Sequence, residues 1–131
     1  MFRAAVAGAP VADWRDYDTH YTERYMGLPD ADPVAYDRAS LLTHAPNLSR
    51  PLLVVHGTVD DNVLFLHSIR LSDALFRAGR PFEFLPLSGF THMVPDPVVL
   101  SRLHARIADF LRRNLALASA PAPRDGSTYR P

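Results

Sequence analysis

Three stretches of the chain have the hydrophobic pattern of buried strands. Residues 51–57 (PLLVVHG) form a continuous apolar run that ends in glycine, which is typical of a parallel strand covered on both faces. The sequence FEFLPL at residues 82–87 predicts a second strand. A run of small apolar residues over positions 2–11, broken by glycine and proline, predicts a third strand that is also buried on both faces.

Two further stretches have the periodicity of amphipathic helices. Apolar side chains recur at helical spacing over residues 64–78, and Gly79 follows as a C-terminal cap. Asp96 and Pro97 have the pattern of an N-cap followed by proline at the first helical position. The helix that they open has one apolar face, formed by Val99, Leu103, Ile107 and Phe110. The order strand, helix, strand, helix predicts an α/β fold in which helices flank a parallel sheet.

Residues 14–48 combine aromatic residues with Asp, Thr and Pro and lack strand alternation, which predicts short helices and loops. One helical turn is expected over residues 22–26, ended by Gly27 in the left-handed αL conformation. Asp32 followed by Pro33 marks another helix start.

Composition favours a soluble globular protein. Hydrophobic residues make up 47% and charged residues 21% of the 131 positions, as in a domain with one core. We expect residues 1–117 to form this domain and residues 118–131 to be a disordered tail, because the tail has few apolar side chains. No apolar run reaches the roughly 18 residues of a transmembrane helix, and the first residues lack a signal-peptide pattern. The compartment stays unknown, with the cytoplasm as the working expectation.

Charge and residue usage exclude several classes of function. The chain has 14 Lys plus Arg and 14 Asp plus Glu residues, which gives a formal charge of zero, so neither a nucleic acid nor a membrane is expected as a partner. All of the basic residues are arginines, and the absence of lysine excludes Schiff-base chemistry and a phosphate-binding P-loop. The absence of cysteine excludes disulfides, thiolate metal sites and a thiol nucleophile.

The loops after the two clearest strands each contain a residue suited to proton transfer. Asp60 follows the first strand and His92 the second, and the carboxyl ends of parallel strands share one edge of a sheet. A carboxylate there can orient the imidazole and stabilise the imidazolium. The order acid then histidine is that of the α/β-hydrolase triad. The nucleophile is missing, because none of the serines stands in a G-x-S-x-G sequence; they are Ser40, Ser49, Ser68, Ser72, Ser88, Ser101, Ser119 and Ser127.

Simpler interpretations of the same residues stay open at this point. Asp60 and Asp61 precede a predicted helix, where carboxylates serve as turn or cap residues, and we expect this role for Asp61. His56 is expected to pack at a strand end rather than to react. No histidine pair has metal-ligand spacing such as H-x-x-x-H, so neither a metal nor a cofactor is expected. By spacing alone, the aromatic residues between positions 14 and 25 favour core packing.

Two motifs in the chain resemble one known family. The sequence HGTVDDNV at positions 56–63, followed by the histidine loop, is similar to the hydrolase domain of the prolyl oligopeptidase family. The run WRDYDTHYTERYMGLP at positions 14–29 resembles the dipeptidyl peptidase IV branch of that family. The resemblance extends over residues 2–115. It implies the C-terminal part of an α/β-hydrolase fold, truncated before the nucleophile elbow.

The resemblance also implies a function and a set of site residues. Asp60 would be the acid and His92 the general base of a serine peptidase, which in intact form cleaves peptides after a penultimate proline or alanine. Without the serine, the chain alone is expected to be inactive. Asn62 would donate its amide to a substrate carbonyl. The walls of the pocket for the proline or alanine side chain would be Val11, Trp14, Tyr17, Tyr21 and Val63, since a proline ring stacks well on aromatic faces.

Two alternatives to a dipeptidyl peptidase remain. One is an acylaminoacyl peptidase or carboxylesterase on the same scaffold. The other is a non-catalytic remnant or interaction module that pairs through an exposed sheet edge. The last predicted helix resembles a region through which this family often dimerises, which implies a homodimer of the full-length form.

Overall fold

Three strands and five α-helices follow one another in the computed structural model, which describes residues 2–115. The predicted tail therefore lies outside the described residues. The strands are β1 (Ala5–Gly8), β2 (Leu52–Gly57) and β3 (Glu83–Leu87), and the helices are α1 (Thr19–Met26), α2 (Pro33–Ala39), α3 (Leu41–His44), α4 (Leu66–Arg77) and α5 (Pro97–Leu115). Short 3-10 turns occupy Trp14–Asp16 and Ala45–Asn47. The predicted α/β class is confirmed.

β2 is the central strand of a three-stranded parallel sheet with the order β1-β2-β3. Its side chains alternate between two cores. On one face Val54 packs with Leu71 of α4, and on the other face Leu53 and Val55 pack with Phe110 of α5. Because helices cover both faces, β2 needs apolar residues at successive positions.

β1 lies at the edge of this sheet, and the prediction of a strand over residues 2–11 buried on both faces is wrong. The strand has only 4 residues, of which the outer two are exposed and the middle two half-buried. Val6 is opposite Leu53 of β2, and no described residue pairs with the outer edge of β1. Alanine and glycine bury little apolar area, so a run of them does not by itself predict burial on both faces.

Both long helices have the predicted caps. Oδ1 of Asp96 accepts hydrogen bonds from two backbone N–H groups in the first turn of α5, at 2.8 and 3.0 Å. Gly79 follows α4 with φ at 64°, as a left-handed C-terminal cap requires. α4 begins at Leu66, later than the periodicity predicts, because a turn occupies the preceding residues. Within residues 2–115, no helix is long and apolar enough to cross a membrane.

The region between β1 and β2 forms short helices, as predicted. α1 begins one turn earlier than predicted, because Oδ1 of Asp18 accepts hydrogen bonds from two backbone N–H groups at 2.7 and 3.3 Å. Gly27 ends this helix with φ at 72° and ψ at −173°. The predicted αL conformation is therefore wrong at this position, since αL requires ψ near +47°. Asp32 caps α2, as predicted, by accepting from a backbone N–H at 3.0 Å.

The end of β2 is in direct backbone contact with the loop that follows β3. A Cβ atom on Gly57 would overlap the carbonyl oxygens of Phe90 and Thr91. Two residues after Gly57, the backbone N–H of Val59 donates a hydrogen bond to the Phe90 carbonyl at 3.1 Å. Because Gly57 has no side chain, the two loops at the carboxyl edge of the sheet can approach this closely.

We expect Gly57→Ala to lower the free energy of unfolding by about 1–3 kcal/mol, the range for overpacked sites, because the added methyl group displaces the loop after β3. Gly8→Ala is the matched control: Gly8 also ends a strand, and apart from its chain neighbours no atom lies within 4 Å of its added Cβ. Urea denaturation of both variants measures the difference. Equal stability of the two variants would contradict the close contact.

Candidate active site

The turn after β2 is built around the carboxylate of Asp60. Its Oδ1 accepts hydrogen bonds from the backbone N–H groups of Asn62 and Val63, both at 2.9 Å, which is the pattern of an Asx turn. The Asp60 side chain is shielded from solvent. Asp61 is exposed, and the prediction that it supports this turn is wrong, because Asp60 has that role.

The second carboxylate oxygen of Asp60 faces His92. Oδ2 lies 2.9 Å from Nδ1 of the imidazole. An ionised carboxylate can only accept, so Nδ1 carries the proton and donates it to this hydrogen bond. The His92 side chain is 37% exposed, whereas that of Asp60 is 0% exposed. Nε2 is therefore the ring nitrogen left to exchange a proton with another group.

The surroundings of the Asp60 carboxyl group favour its ionised form. Burial by itself raises the pKa of Asp60, because a charge loses hydration away from water. The hydrogen bonds from His92 and from the backbone of Asn62 and Val63, together with the charge of His92, outweigh burial and lower the pKa of Asp60 below its ordinary value. The carboxylate is thus charged at neutral pH and can stabilise an imidazolium beside it.

His56 also contacts this carboxylate. Its ring is buried at the end of β2, in agreement with its predicted packing role. Nε2 hydrogen bonds to the Val63 carbonyl at 2.8 Å and lies 3.2 Å from Oδ2 of Asp60, while Nδ1 lies 2.7 Å from Oγ of Ser68. The sequence analysis missed this contact. A spacing of four residues joins side chains within a helix, but nothing in the sequence indicates that the turn after a strand folds back onto His56.

Three of the predicted pocket residues form an aromatic cluster at and before α1. Trp14 is edge-to-face with Tyr17, at 5.7 Å between ring centroids, and is stacked on Tyr21 at 6.1 Å. Tyr17 and Tyr21 are edge-to-face at 5.8 Å. These are favourable aromatic geometries. Tyr21 is 50% exposed, so part of the cluster is accessible from solvent.

One hydrogen bond connects the aromatic cluster to the Asp60 turn. Oη of Tyr17 donates to Oδ1 of Asn62 at 3.0 Å. This bond fixes the orientation of the exposed Asn62 amide, whose Nδ2 group can donate to another acceptor. The two valines predicted for the same pocket differ in exposure: Val63 is buried and Val11 is half-buried.

The segment that carries the aromatic cluster is also attached to α4. The backbone N–H of Ala12 donates to Nδ1 of His67, a buried α4 residue, at 3.2 Å. Since Nδ1 accepts this bond, the ring is neutral, and burial lowers the pKa of His67 more than the nearby Asp16 raises it. Arg70 of α4 forms an ion pair with Asp16. α4 therefore holds the aromatic segment beside the turn from which the helix starts.

Among the cavities within residues 2–115, two lie at opposite ends of the strands. The larger, about 490 Å³, is at the amino ends of β2 and β3 and has no histidine among its lining residues within 2–115. The smaller, about 250 Å³, is at the carboxyl ends and is lined by Asp60 and His92. Ligands of open parallel sheets bind at the carboxyl ends of the strands, so the smaller cavity is the candidate site.

The aromatic cluster is separate from this smaller cavity. Among the described residues that line the cavity, none belongs to the predicted substrate-binding set Val11, Trp14, Tyr17, Tyr21, Asn62 and Val63. The predicted site residues therefore form two neighbouring groups. In one, the predicted acid contacts the predicted base. In the other, the cluster of Trp14, Tyr17 and Tyr21 is connected to Asn62. No group of three or more potential metal ligands occurs within residues 2–115.

Comparison with known proteins identifies the family. Residues 1–118 match the family model described as the prolyl oligopeptidase family. The chain belongs to the prolyl oligopeptidase family. This is a family of peptidases, so both the resemblance of the two motifs and the α/β-hydrolase fold that it implies are confirmed.

The relatives of this chain include several dipeptidyl peptidases. Dipeptidyl peptidase 8 of Mus musculus and of Homo sapiens is 38% identical over 118 residues, which are 88% of this chain and 13% of the relative. Dipeptidyl peptidase 4 of Bos taurus is 33% identical over 120 residues, 89% of this chain and 16% of the relative. The crystal structure of Porphyromonas gingivalis dipeptidyl peptidase 4 has a TM-score of 0.84 at 38% identity, over 86% of this chain and 16% of that one. The chain belongs to the dipeptidyl peptidase IV branch and spans a small part of these relatives.

The lowered pKa of Asp60 predicts an acid-sensitive contribution to stability. Because the folded-state pKa lies below the unfolded value of about 3.9, this contribution is present above that value and is lost as pH falls through the folded-state pKa. Asp60→Asn removes it. We expect the difference in unfolding free energy between wild type and Asp60→Asn to be largest near neutral pH and to shrink below about pH 4, as measured by urea denaturation across this range.

Asp61→Asn is the matched control for this experiment, since it changes the exposed neighbouring carboxylate. It should leave the unfolding free energy close to wild type at every pH. A stability gap between wild type and Asp60→Asn that does not change with pH would show that the Asp60 charge contributes nothing.

Proposed function

We propose that the chain carries the acid and the general base of a serine peptidase of the dipeptidyl peptidase IV type. The observation that supports this most directly is the 2.9 Å hydrogen bond between His92 and the buried Asp60 carboxylate. In this mechanism Nε2 of His92 removes the proton of a serine hydroxyl during attack on the scissile carbonyl. Asp60 stabilises the imidazolium, which then protonates the leaving amine.

The serine is not among the 131 residues in the required motif. Proton transfer alone does not form the acyl-enzyme, because this intermediate needs the serine oxygen as nucleophile. We therefore propose that these residues by themselves are inactive and that the nucleophile is supplied by a segment equivalent to the rest of the hydrolase domain.

The proposed substrate is a peptide with proline or alanine at the penultimate position. The accessible aromatic cluster of Trp14, Tyr17 and Tyr21 supports this, because flat apolar rings suit a small apolar side chain. Asn62 would donate to a substrate carbonyl through Nδ2, with its amide oriented by the hydrogen bond that Oδ1 accepts from Tyr17. Val11 and Val63 complete the proposed pocket.

One further proposal accompanies this one, and two alternatives to it remain. The full-length form is proposed to be a homodimer with α5 in its interface, where Val98 is 66% and Leu100 37% exposed. An acylaminoacyl peptidase or carboxylesterase would use the same acid and base with another acyl group. A non-catalytic interaction module would instead use the edge of β1, which no described residue pairs.

The chain alone should not react with a fluorophosphonate probe, because such probes require a serine activated by its base. The expected result after incubation of the purified chain is no labelled band, with an intact serine hydrolase as positive control. Labelling of one specific serine in the chain would contradict the missing nucleophile.

A chimera tests the proposed roles of Asp60 and His92. The matching segment of Porphyromonas gingivalis dipeptidyl peptidase 4 is replaced by this chain, and release of p-nitroaniline from a Gly-Pro anilide is measured. We expect an active chimera, and a loss of kcat on the order of 10⁴ to 10⁶ with His92→Gln or Asp60→Asn.

His104→Gln, which changes an exposed histidine of α5, is the control and should retain activity. A chimera that labels with a fluorophosphonate and hydrolyses acyl esters but not Gly-Pro anilides would favour the esterase alternative. Full activity of the His92→Gln chimera would exclude the proposed base.

A further inference from the structure

The protonation of His56 follows from its hydrogen-bond partners. Nε2 faces the Val63 carbonyl at 2.8 Å and Oδ2 of Asp60 at 3.2 Å. A carbonyl and an ionised carboxylate are both acceptors only, so Nε2 carries a proton. The hydroxyl of Ser68, 2.7 Å from Nδ1, can serve the other ring nitrogen in either direction.

The position of the His56 ring is restricted from several sides. Its relative exposure is 1%, and the ring of Phe65 packs edge-to-face against it at 5.5 Å. Phe65 is in turn stacked on Phe84 of β3 at 5.8 Å. A ring held by packing and by both nitrogens has little freedom to turn, so its N–H has a fixed direction.

The Nε2–H of His56 hydrogen bonds to the Val63 carbonyl and lies beside Oδ2, the Asp60 oxygen that contacts His92. Oδ1 of Asp60 is held by two backbone N–H groups, whereas Oδ2 receives Nδ1 of His92 and lies beside Nε2 of His56. We propose that His56 is a positioning residue: its Nε2–H holds the Val63 end of the turn and keeps Oδ2 aimed at His92. This inference rests on the proposed function of the pair.

Nuclear magnetic resonance of the ¹⁵N-labelled full chain tests this without a catalytic serine. In wild type, long-range ¹H–¹⁵N spectra should show a proton on Nε2 of His56 and a downfield Nδ1 proton of His92 from its bond to Asp60. His56→Phe keeps a ring but removes the N–H, and we expect loss of the His92 Nδ1 proton signal. His56→Gln retains a donor and should restore part of that signal.

His67→Phe is the matched control, because His67 is equally buried but does not contact Asp60. It should keep the His92 signal even where it lowers stability. The proposal is overturned if Nε2 of His56 is unprotonated in wild type, if His56→Phe leaves the His92 signal unchanged, or if His67→Phe abolishes it equally.

If His56→Phe fails to fold, the tautomer of His56 in wild type and the spectrum of His56→Gln test the proposal instead. Loss of the His92 signal in a folded His56→Gln variant would show that a donor at this position does not suffice, and would overturn the proposal. Absence of the His92 Nδ1 proton in wild type would instead remove the acid–base pair, and with it the proposed function.

Discussion

The buried carboxylate of Asp60 is the group on which the organisation of this site depends. A charge shielded from water is tolerated only where hydrogen-bond donors replace its hydration. Here two backbone N–H groups donate hydrogen bonds to one carboxylate oxygen, and the imidazoles of His92 and His56 face the other oxygen. The same contacts that stabilise the charge also shape the turn after β2 and hold the loop after β3, so charge stabilisation and site geometry have a common origin.

α4 lies between the candidate site and the neighbouring aromatic cluster. It starts directly after the Asp60 turn, packs on β2 through Leu71 and Leu75, and holds the aromatic segment through His67 and Arg70. The same helix therefore contacts the segment that carries the aromatic cluster and directly follows the turn that carries Asp60. The cluster and the acid–base pair nevertheless do not line the same cavity. In the proposed function, binding of a substrate side chain and proton transfer would take place at these neighbouring positions.

Much of this could be predicted from the sequence, for identifiable reasons. Asp60 and His92 follow strands whose apolar runs are unambiguous, and parallel strands bring their carboxyl ends to one edge. The caps at Asp96 and Gly79 depend on local chemistry and were predicted correctly. β1 is shorter and less buried than predicted, because its alanines and glycine look apolar in sequence but bury little apolar area.

The sequence by itself determined the α/β class, the family, and the order of acid and histidine, because these depend on periodicity, local capping and motifs that are contiguous along the chain. Only the tertiary structure decided that Asp60 rather than Asp61 closes the turn, that His56 faces the carboxylate, and that the aromatic cluster lies outside the His92 cavity. These features depend on the direction of side chains at the ends of strands and on distances between residues far apart in the chain. Such directions and distances exist only once the sheet and its helices have packed.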